Sequence, residues 1–104
     1  KPLETLAMES FYKPLGLVRT TFNPNKNTPN QTVIPSEIDT YYRNQELKGE
    51  VHDMAAAMLG GVGGHAGLFS NASEVAILMQ LFLQQGGYAD KHYFSTTTFD
   101  KMIP

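Results

Sequence analysis

A helix with apolar side chains on nearly every side lies in the second half of this sequence. It limits what the rest can fold into. Asn71 with Glu74 three residues on is a capping-box arrangement, in which each side chain can reach a free backbone N–H. Val75, Leu78, Met79, Phe82 and Leu83 then recur at helical spacing as the expected buried stripe, and Gly86-Gly87 ends the run. Ala76, Ile77 and Leu81 make the other faces apolar too, and only Gln80, Gln84 and Gln85 are polar in its body. Such a helix needs cover on nearly all sides. The rest of a 104-residue chain offers about three short helices for that task, so the pattern predicts that part of the cover lies outside it.

The remaining segments are less regular. Leu3, Leu6, Ala7 and Phe11 predict a helix over residues 3–13, stopped by Pro14-Leu15-Gly16. Leu17 to Phe22 leans toward strand through Val18, Thr20, Thr21 and Phe22. Asn23 to Asn30 holds four Asn and two Pro, a composition that predicts a surface loop. Pro35-Ser36-Glu37 with Tyr41, Tyr42 and Arg43 reads as irregular with a helical turn, in which Glu37 and Asp39 suit a helix start better than an acid/base pair. Met54 to Leu59 predicts a short helix, Tyr88 to Phe94 a segment turning at Asp90-Lys91, and Ser95 the cap of a last helix with Phe99, Met102 and Ile103. Met54, Met58 and Met79 read as core filler. The expected fold class is mostly α: one partial domain over residues 1–104, a small helical fragment with long loops.

Composition narrows function mainly by exclusion. Eight scattered Lys and Arg and a net charge of −2 give no basic stripe for nucleic acid. The chain has no cysteine, which removes disulfides, thiol nucleophiles and thiolate metal sites. No run approaches the roughly 20 apolar residues of a membrane span. Chemistry-bearing residues gather around Gly60-Gly61-Val62-Gly63-Gly64-His65-Ala66-Gly67, where five of eight residues are glycine, a density that marks positive φ or close backbone approach. The stretch follows an Ala/Met segment rather than a strand, and no Lys-Ser/Thr closes it, so it does not read as a phosphate loop. Two imidazoles and a carboxylate (His52, Asp53 and His65) would suffice chemically for zinc, but their spacing fits no standard motif, and no metal or cofactor is expected. The plainer alternative is that His52 and His65 satisfy backbone groups and hold the loop's shape.

Several segments, in this order, resemble the serine β-lactamase-related family of class C β-lactamases, esterases and D-alanyl-D-alanine peptidases. Pro14-Leu15-Gly16-Leu17 with Thr20 and Phe22 is similar to the family's P-L-G-M-x-x-T-x-F. Ile34-Pro35-Ser36-Glu37 resembles I-A-P-T-E, and Gly49-Glu50-Val51-His52-Asp53 resembles G-x-V-H-D. Gly64-His65-Ala66-Gly67-Leu68-Phe69-Ser70-Asn71-Ala72 resembles G-H-A-G-L-F-S-T-A, and Gly86-Gly87-Tyr88 with Ser95 to Met102 resembles the next turn and helix. The resemblance covers nearly the whole chain. It implies the helical region of the β-lactamase/transpeptidase-like α+β fold.

The family's chemistry uses a Ser-x-x-Lys nucleophile motif, a Tyr-x-Asn loop and a Lys/His-Thr/Ser-Gly strand. Ser10-Phe11-Tyr12-Lys13 and Tyr42-Arg43-Asn44 spell the first two, but both fall at places where the family's order puts other residues. No Lys-Thr-Gly or His-Thr-Gly occurs. The expectation is therefore an internal piece that is inactive alone and has no catalytic residue of its own. By resemblance, residues 51–70 wall one side of the cleft, with His52, Asp53, His65 and Ala66 at its rim. The expected partners are the remainder of the parent hydrolase and its small-molecule or peptidoglycan-like substrate, with self-association through Val75 to Leu83 as a further possibility. β-Lactams, D-Ala-D-Ala peptides and small esters all remain open as substrates. The family's usual work implies a periplasmic or cell-envelope location. A helical interaction module without catalysis, and a small metalloprotein, are the competing readings.

Overall fold

The computed structural model describes residues 1–40 and 43–103; Tyr41, Tyr42 and Pro104 lie outside the described residues, and with Tyr42 the Tyr-x-Asn lettering. The mostly-α expectation does not hold. Among the described residues five short α-helices and a π-helical turn share the chain with six short strands in three two-stranded antiparallel sheets. The chain forms two compact units, Lys1–Ser70 and Asn71–Pro104.

In the first unit, α1 (Leu3–Ala7) runs on as a π-helical turn, Met8–Tyr12. The Leu17 N–H then bonds the Tyr12 carbonyl at 2.8 Å, which turns the chain into the core at Leu15 and Leu17. β1 (Thr21–Phe22) pairs with β4 (Leu68–Phe69), Thr21 opposite Phe69 and Phe22 opposite Leu68. Beside it the hydroxyls of Thr20 and Ser70 meet at 2.7 Å.

The asparagine-rich segment is not only loop. Its Pro24–Asn27 forms a helical turn, α2, with Pro at its start, where a missing N–H costs nothing. Its side chains act as ties. Asn23 Nδ2 donates to the Gly60 carbonyl (3.0 Å), Asn25 Nδ2 to Lys48 (2.8 Å) and Asn27 Nδ2 to Phe22 (2.6 Å).

The segment read as irregular with a helical turn is a strand. β2 (Pro35–Asp39) pairs with β3 (Gln45–Lys48), with an irregularity between Pro35 and Glu37. The helix start expected at Glu37 and Asp39 is absent for the same reason. Polar alternation around a single apolar residue hid the hairpin, since only Leu47 of β3 is buried, and completely so. Val51 and Ala56 of α3 (Met54–Met58) complete this unit's core with Phe22.

In the second unit, α4 (Ala72–Leu83) is capped as expected, with Asn71 Oδ1 accepting from the Glu74 N–H at 2.9 Å. Its buried side is different from the one expected. Leu81 is buried, Ile77 and Leu78 are half-buried, and Val75, Met79, Phe82 and Leu83 are exposed. Met54, Met58 and Met79, expected as core, are exposed as well. A hairpin follows. β5 (Gly87–Tyr88) pairs with β6 (Lys91–His92) across Ala89-Asp90, both at positive φ as a type I′ turn requires. The turn thus sits one residue earlier than Asp90-Lys91. Ser95 caps α5 (Thr96–Met102) through the Thr98 N–H. Among the described residues no helix is long and apolar enough to cross a membrane.

Candidate functional site

Two of the residues singled out from the sequence, Asp53 and His65, meet in the first unit. Asp53 precedes α3, and its Oδ2 accepts from the Ala56 N–H at 2.9 Å, an N-cap that satisfies one of the helix's free donors. The same oxygen lies 2.8 Å from His65 Nε2. His65 stands on the glycine stretch, so this pair joins the start of α3 to the loop that follows α3. Both side chains are about half exposed to solvent. The Asp53 carboxyl is held below the usual carboxylate range, first by the Ala56 N–H and then by the hydrogen bond from His65.

The glycine stretch is shaped by close approach. Gly67 has φ +117°, and a β-carbon there would collide with the Gly61 carbonyl and stand 3.4 Å from the Phe22 ring. Glycine alone lets the chain fold back over β1 and hand Leu68 to the sheet. Inside the turn the Gly63 N–H donates to the Ala66 carbonyl at 3.2 Å. A cleft of about 280 Å³ opens beside it, lined by Gly64, His65 and Ala66 together with Tyr12, Phe22 and Leu68.

Of the four residues expected at the rim, the structure brings Asp53 and His65 into contact and puts Ala66 beside His65 on the same cavity. His52 takes part through its backbone. Its carbonyl accepts from Arg43 Nη2 at 2.9 Å, while Arg43 Nη1 takes the Val51 carbonyl at 2.6 Å. Arg43 Nε bonds Asp39 Oδ2 at 2.9 Å, an ion pair whose carboxylate is almost fully buried. Sequence reading missed this residue. A carboxylate four positions before a guanidinium was the available signal, but without a helix that spacing carries little weight.

What the arrangement can do chemically is bind and orient. Among the described residues no group of three His, Asp or Glu is placed to hold a metal ion. Ser10 lies within the π-helical turn and Lys13 directly follows it.

No family model matches the chain, and no solved structure matches it. Curated proteins do. A protein of Escherichia coli K12 named "Putative D-alanyl-D-alanine carboxypeptidase" is 41% identical over 110 residues, covering 94% of this chain. A protein of the same name from Salmonella typhi is 39% identical over 93% of the chain. The N-acetylmuramyl-L-alanine amidase of Bacillus subtilis 168 is 38% identical over 112 residues, covering 96%. The chain spans only 25% of each relative's length. The shared stretch takes in nearly all of the chain, and three-quarters of each relative has no counterpart here.

Proposed function

We propose that this chain is the cleft-side part of a peptidoglycan hydrolase that works through an acyl-serine, with the nucleophile supplied by protein outside these residues. The observation that carries the reading is identity of about 40% across nearly the whole chain to relatives named for D-alanyl-D-alanine carboxypeptidase and N-acetylmuramyl-L-alanine amidase activities. Both names describe cleavage of an amide, which favours cell-wall peptides over β-lactams and esters as natural substrates. Work on peptidoglycan goes with a periplasmic or cell-envelope location.

In the proposed reaction the serine Oγ attacks the carbonyl carbon of the scissile amide. The C–N bond breaks, the amine leaves with a proton, and water then hydrolyses the ester. This chain's part is the wall: His65, held from behind by Asp53, and Ala66 border the cleft where the acyl side of the substrate would lie. The exposed side of α4 (Val75, Met79, Phe82 and Leu83) would pack against the rest of the hydrolase. A second copy of the chain is the alternative cover, and the same exposed face favours it in isolation.

The test is made on the full-length gene product. It should release D-alanine from a peptide ending in D-Ala-D-Ala and gain the mass of one penicillin on a serine. The 104-residue chain alone should do neither. Amide hydrolysis that a chelator abolishes, with no penicillin adduct, would remove the acyl-serine reading. Release of a muramyl product instead of D-alanine would move the scissile bond to the one named for the Bacillus relative.

A further inference from the structure

We infer that Arg43 is the positioning residue of the Asp53–His65 pair, holding the bend that presents Asp53 to both the start of α3 and the glycine turn. The positioning is a matter of geometry alone; its bearing on function rests on the reading of that turn as a wall of the cleft.

The geometry begins at a largely buried cation. The Arg43 side chain is 15% exposed and that of Asp39 4%. Asp39 Oδ2 accepts from both the backbone N–H (3.1 Å) and Nε (2.9 Å) of Arg43, which fixes one edge of the guanidinium. The two terminal nitrogens then reach two consecutive carbonyls, Val51 at 2.6 Å and His52 at 2.9 Å. The chain bends at His52, and Asp53 is the next residue. Its Oδ2 is shared between the Ala56 N–H and His65 Nε2. One planar group at the end of the β2–β3 hairpin therefore sets the direction from which Asp53 meets both partners. Only a guanidinium has donors spread widely enough for this. A lysine ammonium could stay beside Asp39 but could not span both carbonyls while doing so.

That difference makes the test. Arg43→Lys keeps a cation next to the buried Asp39 carboxylate, so the ion pair survives while the clamp is lost. Amide hydrogen exchange in the full-length gene product reads the result without substrate. In Arg43→Lys the Ala56 N–H should exchange about tenfold faster, the scale of one hydrogen bond to a charged group, and Gly63 should follow. Leu17, whose N–H bonds Tyr12 in the same unit, should stay within about twofold of wild type. Arg43→Ala should show at least the Ala56 effect. Unchanged Ala56 exchange in both variants would overturn the proposal. So would a rise at Leu17 equal to that at Ala56 in Arg43→Lys, because it would make Arg43 a general support. A wild-type protein that hydrolyses no cell-wall amide would remove the function proposed above and leave this inference standing.

Discussion

Asp53 makes two bonds with one carboxylate oxygen, and both depend on its charge. Its carboxyl is held below the ordinary range by the Ala56 N–H first and by His65 next. A depressed folded-state pKa means that the unfolded chain takes up the proton first as pH falls. The stabilisation is therefore complete at neutral pH, begins to fade near the ordinary carboxylate pKa of about 4, and is lost below the folded value. Thermal unfolding followed from pH 7 to pH 3 should show a shallower acid decline in Asp53→Asn than in wild type. Equal slopes would mean that Asp53 contributes nothing to the acid response. Glycine supplies a second test at this scale. Gly67→Ala should cost about 1–3 kcal/mol or more, from the strained φ and the missing space. Gly64→Ala, with open space around it and ordinary φ, should stay within about 0.5 kcal/mol in the same melt. The sequence marked the glycine stretch as special by density alone. Which glycine bears the constraint depended on φ and on the Gly61 carbonyl, which meets Gly67 only once the turn has closed, and glycine density does not show that.

At the scale of elements, caps were the most legible features, because a cap is a contact between residues three apart. Asn71 and Ser95 both bond the N–H expected of them. Asp53 caps α3 in the same way, although the family resemblance had marked it as a rim residue and its chemistry as a possible zinc ligand, and neither as a cap. The hairpins were less legible. β5 and β6 are two residues each, too short for alternation to register, and β2 follows a Pro-Ser-Glu start that imitates a helix N-terminus. The β5–β6 turn carries an evident strain. Ala89 has φ +50° where a type I′ turn prefers Asn or Gly. Ala89→Gly should raise stability by about 1 kcal/mol, since left-handed backbone costs an alanine about that much. Chemical denaturation measures it, and an unchanged midpoint would mean that the turn opens without resistance.

At the scale of the molecule, the unequal burial of the two units is the main result. The first unit buries Leu15, Leu17, Phe22, Leu47, Val51 and Ala56, while in the second Leu81 is the only apolar side chain buried to that degree among the described residues. Around it, the Phe82 and Phe94 rings stand 5.8 Å apart, and Val75, Met79 and Leu83 face outward. Hydropathy predicted that α4 needs cover on nearly all sides. It could not say which side the chain itself supplies, because three- and four-residue spacing describes every face of so uniform a helix. On the function proposed above, the rest of the hydrolase supplies the remaining cover. The consequence is measurable by making one change in two contexts. Met79→Ala and Leu83→Ala should leave the isolated chain within about 0.5 kcal/mol of wild type, because exposed side chains lose little on truncation. In the full-length gene product each should cost about 2–5 kcal/mol, the usual loss for a buried Met or Leu. Equal and small effects in both contexts would mean that the face stays open, and self-association of the full-length protein, tested by sedimentation, would then be the expected way of covering it. Large effects only in the isolated chain would require it to have associated already through α4, which the concentration dependence of its melting would reveal.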